Sequence, residues 1–267
     1  MNYVIPVLIL GSCGILAGLL LTAAAKVFHV ETDERIEKIA ESLPQANCGS
    51  CGFAGCADYA AAIIEKGAET NLCRPGGADV AGKIATLLGI AAAEVIPMTA
   101  VVYCNGNCEA TDRKFEFDGV QSCAAVKRFY GGNGLCHFGC LGFGDCAAVC
   151  GKNAIKIVNG VAKVTPSLCE ACGKCAAVCP NSLISIKPVS KRIDVLCSSA
   201  SNGKETKASC KNGCIGCKMC EKKCPSGAVK VENFHALIDY EKCQNCSECV
   251  RICPVGAIHK CKPDEAV

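Results

Sequence analysis

The amino-terminal part of the chain is one uninterrupted apolar stretch. Residues 3–25 carry no charged side chain, and Lys26, Arg35 and Lys38 all follow it. At about 1.5 Å per residue, a helix of this length crosses the roughly 30 Å hydrocarbon core of a bilayer. Because no basic residue precedes the stretch, the pattern favours a retained anchor over a cleaved signal peptide. The positive-inside rule predicts a single-pass protein of the cell membrane with its C-terminal part on the cytoplasmic side.

Beyond this stretch the apolar positions occur in short groups. A helix is predicted over 58–66, with Gly67 as its end. Short segments rich in Val and Ile predict β-strands at 154–158, 161–164, 183–186, 229–231 and 236–238. Alternation of hairpins and short helices is typical of an α+β fold. We therefore predict the α+β class, with one N-terminal transmembrane helix.

Cysteine dominates the composition, with 27 of 267 residues, while aromatic residues make up 5% and Trp is absent. Large apolar side chains are too few for an ordinary core throughout, so cysteine-bound metal is the expected staple. Disulfide scaffolds occur in short secreted chains, and their spacings are less regular than these. Zinc sites usually combine separated C-x2-C pairs with His, and only four His are present. The net charge of +3 gives no indication of nucleic-acid binding.

One cysteine run recurs in the C-terminal half of the chain. The run C-x2-C-x2-C-x3-C-P begins at Cys169, Cys214 and Cys243. A related run begins at Cys140, 74 residues before Cys214, but Phe143 occupies the position of its second cysteine. This spacing is the signature of bacterial ferredoxins with two [4Fe–4S] clusters, in which the fourth Cys of each run ligates the other cluster. The chain is therefore predicted to contain two tandem bacterial two-cluster ferredoxin-like modules.

The crossing of the fourth cysteine assigns three complete ligand sets. They are Cys150, Cys169, Cys172 and Cys175; Cys214, Cys217, Cys220 and Cys253; and Cys224, Cys243, Cys246 and Cys249. The remaining set has only Cys140, Cys146 and Cys179. A three-iron cluster is one interpretation. The other, which we favour, is that Cys136 completes the set, because neighbouring glycines give this loop the freedom to refold.

A separate pattern, CGSCGFAGC followed by CRPGG, lies closer to the N-terminus. Its four cysteines can hold one [4Fe–4S] cluster: Cys48, Cys51, Cys56 and Cys73. The glycines between them allow backbone N–H groups to approach the sulfur atoms. A zinc site is the alternative interpretation.

Seven cysteines lie outside these five sets: Cys13, Cys104, Cys108, Cys123, Cys197, Cys210 and Cys261. The 74-residue register pairs Cys123 with Cys197 and Cys136 with Cys210. A sixth cluster is one hypothesis, held by Cys104, Cys123, Cys197 and Cys210, with Cys108 as a substitute ligand. Free structural thiols are the alternative. Cys13 is expected to be a small apolar residue of the anchor, and Cys261 not to be a ligand. We expect at least five [4Fe–4S] clusters and no catalytic residue.

The anchor, the CGSCGFAGC…CRPGG pattern and the ferredoxin repeats together resemble the B subunit of the Rnf electron-transport complex, over essentially the whole chain. The resemblance implies a membrane assembly that passes electrons from reduced ferredoxin to NAD and couples this to sodium or proton export. The B subunit would be its cytoplasmic electron-entry arm, with the other subunits, the membrane and soluble ferredoxin as partners. By position, Cys48, Cys51, Cys56 and Cys73 match the family's N-terminal ligands. A polyferredoxin subunit of a hydrogenase or formate enzyme is a second hypothesis, and a zinc scaffold a third.

The predicted organisation has six parts. They are a transmembrane anchor (1–28), an N-terminal [4Fe–4S] domain (29–90), a connecting segment with extra cysteines (91–135), ferredoxin module 1 (136–187), a basic linker (188–209) and ferredoxin module 2 (210–267). Residues 187–223 contain nine Lys or Arg and three Asp or Glu. Because soluble ferredoxins are usually acidic, this stretch predicts that the donor docks at the second module. A solvated face is the alternative.

Overall fold

A computed structural model describes residues 4–27 and 33–261. Helix α1 covers Val4–Val27. Within the described residues, one helix is long and apolar enough to cross a membrane, and its span Val7–Ala24 has a mean hydropathy of 2.3. None of this span is buried against the rest of the protein. The predicted apolar N-terminal helix is therefore present.

The next part of the chain is a small helical domain. Its helices are α2 (Glu34–Ser42), α3 (Cys56–Lys66) and α4 (Gly77–Leu88). Their core contains the fully buried side chains of Ile39, Tyr59 and Ile84. Helix α3 ends at Gly67, which has the left-handed conformation that favours glycine (φ 65°), as the sequence predicts.

The first of two similar units contains two antiparallel sheets of two strands each. Its elements are β1 (Met98–Val102), α5 (Cys123–Tyr130), α6 (Asp145–Ala148), β2 (Ile155–Val158), β3 (Val161–Val164), a 3₁₀ turn (Pro166–Leu168), α7 (Lys174–Val178) and β4 (Ile184–Pro188). Strand β1 pairs with β4, so that Met98 lies opposite Pro188, and β2 pairs with β3. Cysteines of both runs pack between the sheets and the short helices.

The second unit repeats this arrangement. Its elements are β5 (Ile193–Val195), α8 (Gly203–Ser209), α9 (Met219–Lys223), β6 (Val229–Glu232), β7 (His235–Ile238), α10 (Glu248–Ile252) and β8 (Ile258–Lys260). Strand β5 pairs with β8 and β6 pairs with β7. The first and last strands of each unit thus form one sheet, and the central hairpin forms the other.

The five predicted strands are all present, with ends that differ by one or two residues. The sequence interpretation missed β8, and it did not predict that β1 pairs with β4 and β5 with β8, far along the chain. Strand β1 lies in the predicted connecting segment, and β5 lies in the predicted basic linker. Each pairs with the last strand of its unit, so both segments contribute to folded sheets.

The two units interlock through the segments that follow β1 and β5. The Asn105 N–H donates to Leu196 O (3.0 Å), and the Lys211 N–H donates to Ala110 O (2.8 Å). The Asn212 side chain donates to Asn105 O (2.9 Å). These bonds place residues 105–110 of the first unit against residues 196–212 of the second.

A buried ion pair joins β4 to β5. Lys187 Nζ lies 2.5 Å from Asp194 Oδ2, with side-chain exposures of 5% and 0%. Asp194 also accepts hydrogen bonds from the Tyr240 hydroxyl (2.5 Å) and from Cys261 Sγ (2.9 Å). The end of the first unit is therefore tied to the start of the second through one fully buried carboxylate.

Candidate metal centres

Four thiols meet in the helical domain. Cys48 and Cys51 lie in the loop before α3, Cys56 is its first residue, and Cys73 precedes α4. Burial raises the pKa of the Cys73 thiol, and the nearby thiols of the other three raise it further. The Asn47 side chain accepts a hydrogen bond from the Cys56 N–H (2.8 Å) and so holds the loop against the start of α3.

The first unit brings together the four cysteines that the crossing rule groups. Cys150, Cys169, Cys172 and Cys175 line one cavity. The Cys169 sulfur accepts N–H groups from Ala100 of β1 (3.3 Å) and from Ala171 (3.4 Å). Strand β1 therefore contributes directly to the environment of this group.

The set with the missing cysteine is different from the predicted one. A second cavity of the first unit is lined by Cys123, Cys140, Cys146 and Cys179, and Cys136 is not among its lining residues. The Cys146 thiol has Cys140, Cys123 and Cys179 as near neighbours. Burial raises the pKa of Cys146, and these thiols raise it further. The structure thus groups Cys123, instead of Cys136, with this run.

Asp145 explains how Cys123 reaches the cavity. Its carboxylate accepts hydrogen bonds from the N–H groups of Cys123 (2.9 Å) and Ala124 (3.0 Å) and from the Ser122 hydroxyl (2.9 Å). Burial raises the pKa of Asp145, but these donors outweigh it and hold the pKa below its usual value. Because Asp145 is the first residue of α6, it fixes the start of α5 beside Cys146.

Phe143 replaces the second cysteine of this run and takes a structural place. Its ring packs edge-on against Phe117, with 5.8 Å between ring centroids, in an apolar cluster that also contains Cys123. The stretch between Cys104 and Cys140 is longer than its counterpart in the second unit and is called the inserted segment. Cys123 thus enters the site from the inserted segment, on which Phe117 also lies. A carboxylate directly before Cys146 and a Ser-Cys pair at a helix start are the sequence signals that mark this contact.

In the second unit, the neighbours of Cys249 match one of the two predicted sets, and those of Cys220 match part of the other. The Cys249 thiol has Cys243, Cys246 and Cys224 as neighbours. The Cys220 thiol has Cys214 and Cys217 as neighbours. Cys253 packs in the same apolar cluster as Cys214 and Cys220.

One hydrogen bond recurs at the cysteine that ends a run. The Ala154 N–H donates to Cys150 Sγ (3.3 Å), Leu183 to Cys179 (3.4 Å) and Ala257 to Cys253 (3.3 Å). Backbone donors of this kind stabilise and tune metal-bound thiolates. Across the described ranges, no three or more His, Cys, Asp or Glu side chains converge on a single ion position. Groups of four thiols around a cavity, with backbone donors, form the donor set of an iron–sulfur cluster.

The cysteines outside these groups have different surroundings. Cys104, Cys136, Cys197 and Cys210 line a further cavity between the two units, whereas Cys123 does not belong to it. Cys108 is exposed, and a Cβ on Gly160 would lie 2.7 Å from its sulfur. Cys261 donates to Asp194, and Cys13 is exposed on α1.

Two family descriptions match parts of the chain. The family described as "Putative Fe-S cluster" matches residues 43–75, and the "4Fe-4S dicluster domain" family matches residues 168–228 and 213–257. Both matches cover cysteine groups described above. The chain therefore contains an iron–sulfur domain and [4Fe–4S] dicluster domains.

Three relatives match nearly the whole chain. The B subunit of the ion-translocating oxidoreductase complex of Methanosarcina acetivorans is 42% identical, over 88% of this chain and 89% of that protein. The corresponding subunit of the Na⁺-translocating ferredoxin:NAD⁺ oxidoreductase complex of Acetobacterium woodii is 41% identical, over 90% and 72%. That of the proton-translocating complex of Clostridium ljungdahlii is 38% identical, over 91% and 87%. The chain belongs to the family of B subunits of ion-translocating Rnf oxidoreductase complexes.

Proposed function

We propose that this chain is the electron-transfer subunit that accepts electrons from reduced ferredoxin and delivers them into a membrane ferredoxin:NAD oxidoreductase complex. Helix α1 would hold it to the cell membrane by a single pass, with residues 33–261 on the cytoplasmic side. The observation that carries the proposal is the succession of four-cysteine groups along the fold. NAD reduction would take place on other subunits of the complex.

Five groups would each hold a [4Fe–4S] cluster. They are Cys48, Cys51, Cys56 and Cys73; Cys150, Cys169, Cys172 and Cys175; Cys123, Cys140, Cys146 and Cys179; Cys214, Cys217, Cys220 and Cys253; and Cys224, Cys243, Cys246 and Cys249. Such clusters, when bound, take up and release single electrons at potentials tuned by hydrogen bonds and exposure. The two similar units correspond, in this proposal, to two tandem two-cluster ferredoxin modules.

Contacts between the groups connect the helical domain to the first unit. Ala46 and Pro75 of the helical domain line the cavity of the group that contains Cys169. Cys51 and Cys169 both line a larger opening between that domain and the first unit. Within the first unit, Cys175 is a near neighbour of Cys146. The helical domain next to the membrane anchor thus adjoins the first unit at a cysteine group.

The second unit offers an entry surface. Cys217 is exposed, and the next basic residues, Lys218, Lys222 and Lys223, are exposed beside it on or before α9. Lys187, which the sequence interpretation counted in the basic stretch, is buried in its ion pair and cannot face a partner. We therefore restrict the docking surface for an acidic ferredoxin to the exposed lysines around Cys217.

Charge reversal tests this docking surface. The triple variant Lys218→Glu, Lys222→Glu, Lys223→Glu should be reduced by ferredoxin more slowly than the parent, most strongly at low ionic strength, because steering by exposed charges is screened over roughly 8 Å at physiological salt. Reduction by dithionite should be unchanged. The rates are measured by stopped-flow loss of visible absorbance.

A matched control changes the same charge elsewhere. Lys38, Lys66 and Lys83 are exposed on the helical domain, and their reversal to Glu should leave the ferredoxin rate close to that of the parent. Equal slowing in both triple variants would mean that net charge alone acts, and would contradict the docking surface. If the parent protein showed no visible absorbance, or if dithionite did not bleach that absorbance, the electron-transfer function itself would be contradicted.

A further inference from the structure

We propose that Cys104, Cys136, Cys197 and Cys210 hold an additional [4Fe–4S] cluster at the junction of the two units. The inference rests on the proposed function of the chain as an iron–sulfur carrier. It extends that function, because this ligand set differs from any that the cysteine spacing predicts. Two ligands come from each unit, so the site exists only when both units are folded and docked.

The four thiols surround one cavity. All four line the same space between the units, together with Cys140 of the neighbouring group and with Gly106, Gly139 and Gly213. Cys136 is the common neighbour, since its thiol lies near those of Cys104, Cys197 and Cys210. Cys104 and Cys210 are each 7% exposed. Cys104 and Cys210 are therefore shielded from water, while Cys136 and Cys197 are half-buried.

The sulfur atoms already accept backbone hydrogen bonds of the type found at the other groups. The Gly106 N–H donates to Cys104 Sγ (3.4 Å), and the Ser199 N–H donates to Cys197 Sγ (3.5 Å). Each donor lies two residues after its cysteine, as Ala171 does after Cys169. Cys104 and Cys197 each follow the first strand of their unit closely, so they are structurally equivalent positions with the local geometry of a ligand.

Space for a bound group is kept by glycine. A Cβ on Gly106 would lie 3.4 Å from Cys210 Sγ and 3.6 Å from Cys104 Sγ, which brings the backbone of Gly106 close to two sulfurs from different units. A Cβ on Gly139 would lie 3.6 Å from Cys136 Sγ. Small residues therefore stand where side chains would otherwise occupy the space around the thiols.

The position of the site gives it a role. The Cys140 N–H donates to Cys104 Sγ (3.3 Å), and the backbone of Cys214 donates to Cys197 Sγ. Cys140 and Cys214 open the first run of the first and second units. The junction group thus contacts one cysteine group of the first unit and one of the second. It connects the cysteine groups of the second unit, which carries the entry surface, to those of the first unit and the helical domain.

Iron content of single variants tests the ligand set. Cys104→Ala, Cys136→Ala, Cys197→Ala and Cys210→Ala, made in the full chain, should each lose about four iron atoms per protein from a parent value of about 24. Cys108→Ala is the matched control, because Cys108 is an exposed cysteine of the same segment that does not line the cavity, and it should retain the parent value. Unchanged iron in the Cys104 and Cys210 variants would overturn the proposal.

Double variants separate loss of one cluster from general unfolding. Cys104→Ala with Cys210→Ala should lose no more iron than either single variant, because both remove the same site. Cys123→Ala with Cys210→Ala should lose as much iron as the two single variants lose together, because those residues belong to different sites. The grouping would be contradicted if the first double variant lost the sum of the iron lost by its two single variants. It would also be contradicted if the second double variant lost no more iron than one of its single variants.

A spectroscopic readout distinguishes this proposal from the proposed function. The reduced Cys210→Ala protein should keep the EPR signals and dithionite bleaching of the other clusters, so that only the junction site is lost. Loss of all signals in Cys210→Ala would show that Cys210 is needed for folding. If Cys104→Ala and Cys197→Ala also lost every signal, the proposal would fail. A parent protein with about 20 iron atoms and full redox activity would leave the function intact and reject the junction cluster.

Discussion

At the scale of single residues, Cys123 depends on Asp145 for its position. The carboxylate satisfies the first N–H groups of α5, which otherwise lack a partner, and it is separated from Cys123 by more than twenty residues in sequence. Two side chains with no shared spacing motif thus determine which thiol lines this cavity. A motif search that reads only cysteine intervals has no access to such a contact.

Substitution of Cys123 tests that position. Cys123→Ala should convert one four-iron cluster to a three-iron form or remove it, because Cys140, Cys146 and Cys179 would remain as the only thiols around that cavity. The EPR spectrum of the oxidised protein measures the three-iron form. Cys136→Ala should leave this cluster unchanged. A three-iron signal in Cys136→Ala and none in Cys123→Ala would support the grouping that the sequence interpretation favoured.

Asp145 has its own expected effect. Asp145→Ala should lower the stability of the first unit by about 1–2 kcal/mol, since it leaves the first two N–H groups of α5 without their acceptor, and it should reduce occupancy of the site at Cys123. Rates of iron release in denaturant measure both changes. Asp118, which lies on the same inserted segment and is exposed, provides the control: Asp118→Ala should leave the rate of iron release unchanged.

Among the elements, the sequence predicts the central hairpins but not the pairing of the outer strands. Strands β2, β3, β6 and β7 are joined by short turns, so their apolar segments adjoin in sequence. Strands β1 and β5 each pair with the last strand of their unit, and nothing local marks the partner. The 74-residue register misled for the same reason. It aligned Cys123 with Cys197, whereas the strands show that Cys104 occupies the equivalent place and that the first unit carries an insertion.

The ion pair between β4 and β5 is expected to stabilise the docking of the two units. Lys187→Met alone or Asp194→Leu alone should destabilise by about 3–5 kcal/mol, because each leaves a buried charge without its partner. The double variant should recover much of this loss. Guanidinium-induced loss of visible absorbance gives the unfolding rates. The exposed pair Lys152–Glu170 is the control, and Lys152→Met should change little.

Strand β8 provides a pH-dependent contact at the same junction. His259 Nε2 lies 3.4 Å from Asn105 Nδ2. Burial lowers the pKa of His259, and the nearby Lys163 ammonium lowers it further. The unfolded chain therefore binds the proton more readily, so the stabilisation is present above about pH 6.5 and is lost as the pH falls. Unfolding should accelerate more between pH 7.5 and 6.0 in the parent than in His259→Gln. Equal acceleration would contradict this assignment.

For the molecule as a whole, the anchor and the cysteine groups are separate. All thiols that line the described cavities lie beyond residue 47, whereas the apolar span ends at Ala24. Deletion of residues 1–28 should therefore yield a soluble, brown protein with the iron content of the full chain. Size-exclusion chromatography and iron analysis measure the result. Loss of most of the iron would show that the anchor contributes to the folding of the cluster-bearing part.

The interlocked segments after β1 and β5 also constrain the order in which the protein can be completed during synthesis. The four thiols of the helical domain lie within residues 48–73, so that site can close early, as N-terminal domains generally fold first. The hydrogen-bonded residues Asn105 and Asn212 are 107 positions apart. Cys104 and Cys136 likewise gain their partner thiols only after the segment with Cys197 and Cys210 has been synthesised. A nascent chain that ends before residue 197 presents these two thiols without their partners. Maturation of the junction therefore comes late, and a pause in translation of the second unit lengthens the time in which oxidants or foreign metals can reach them.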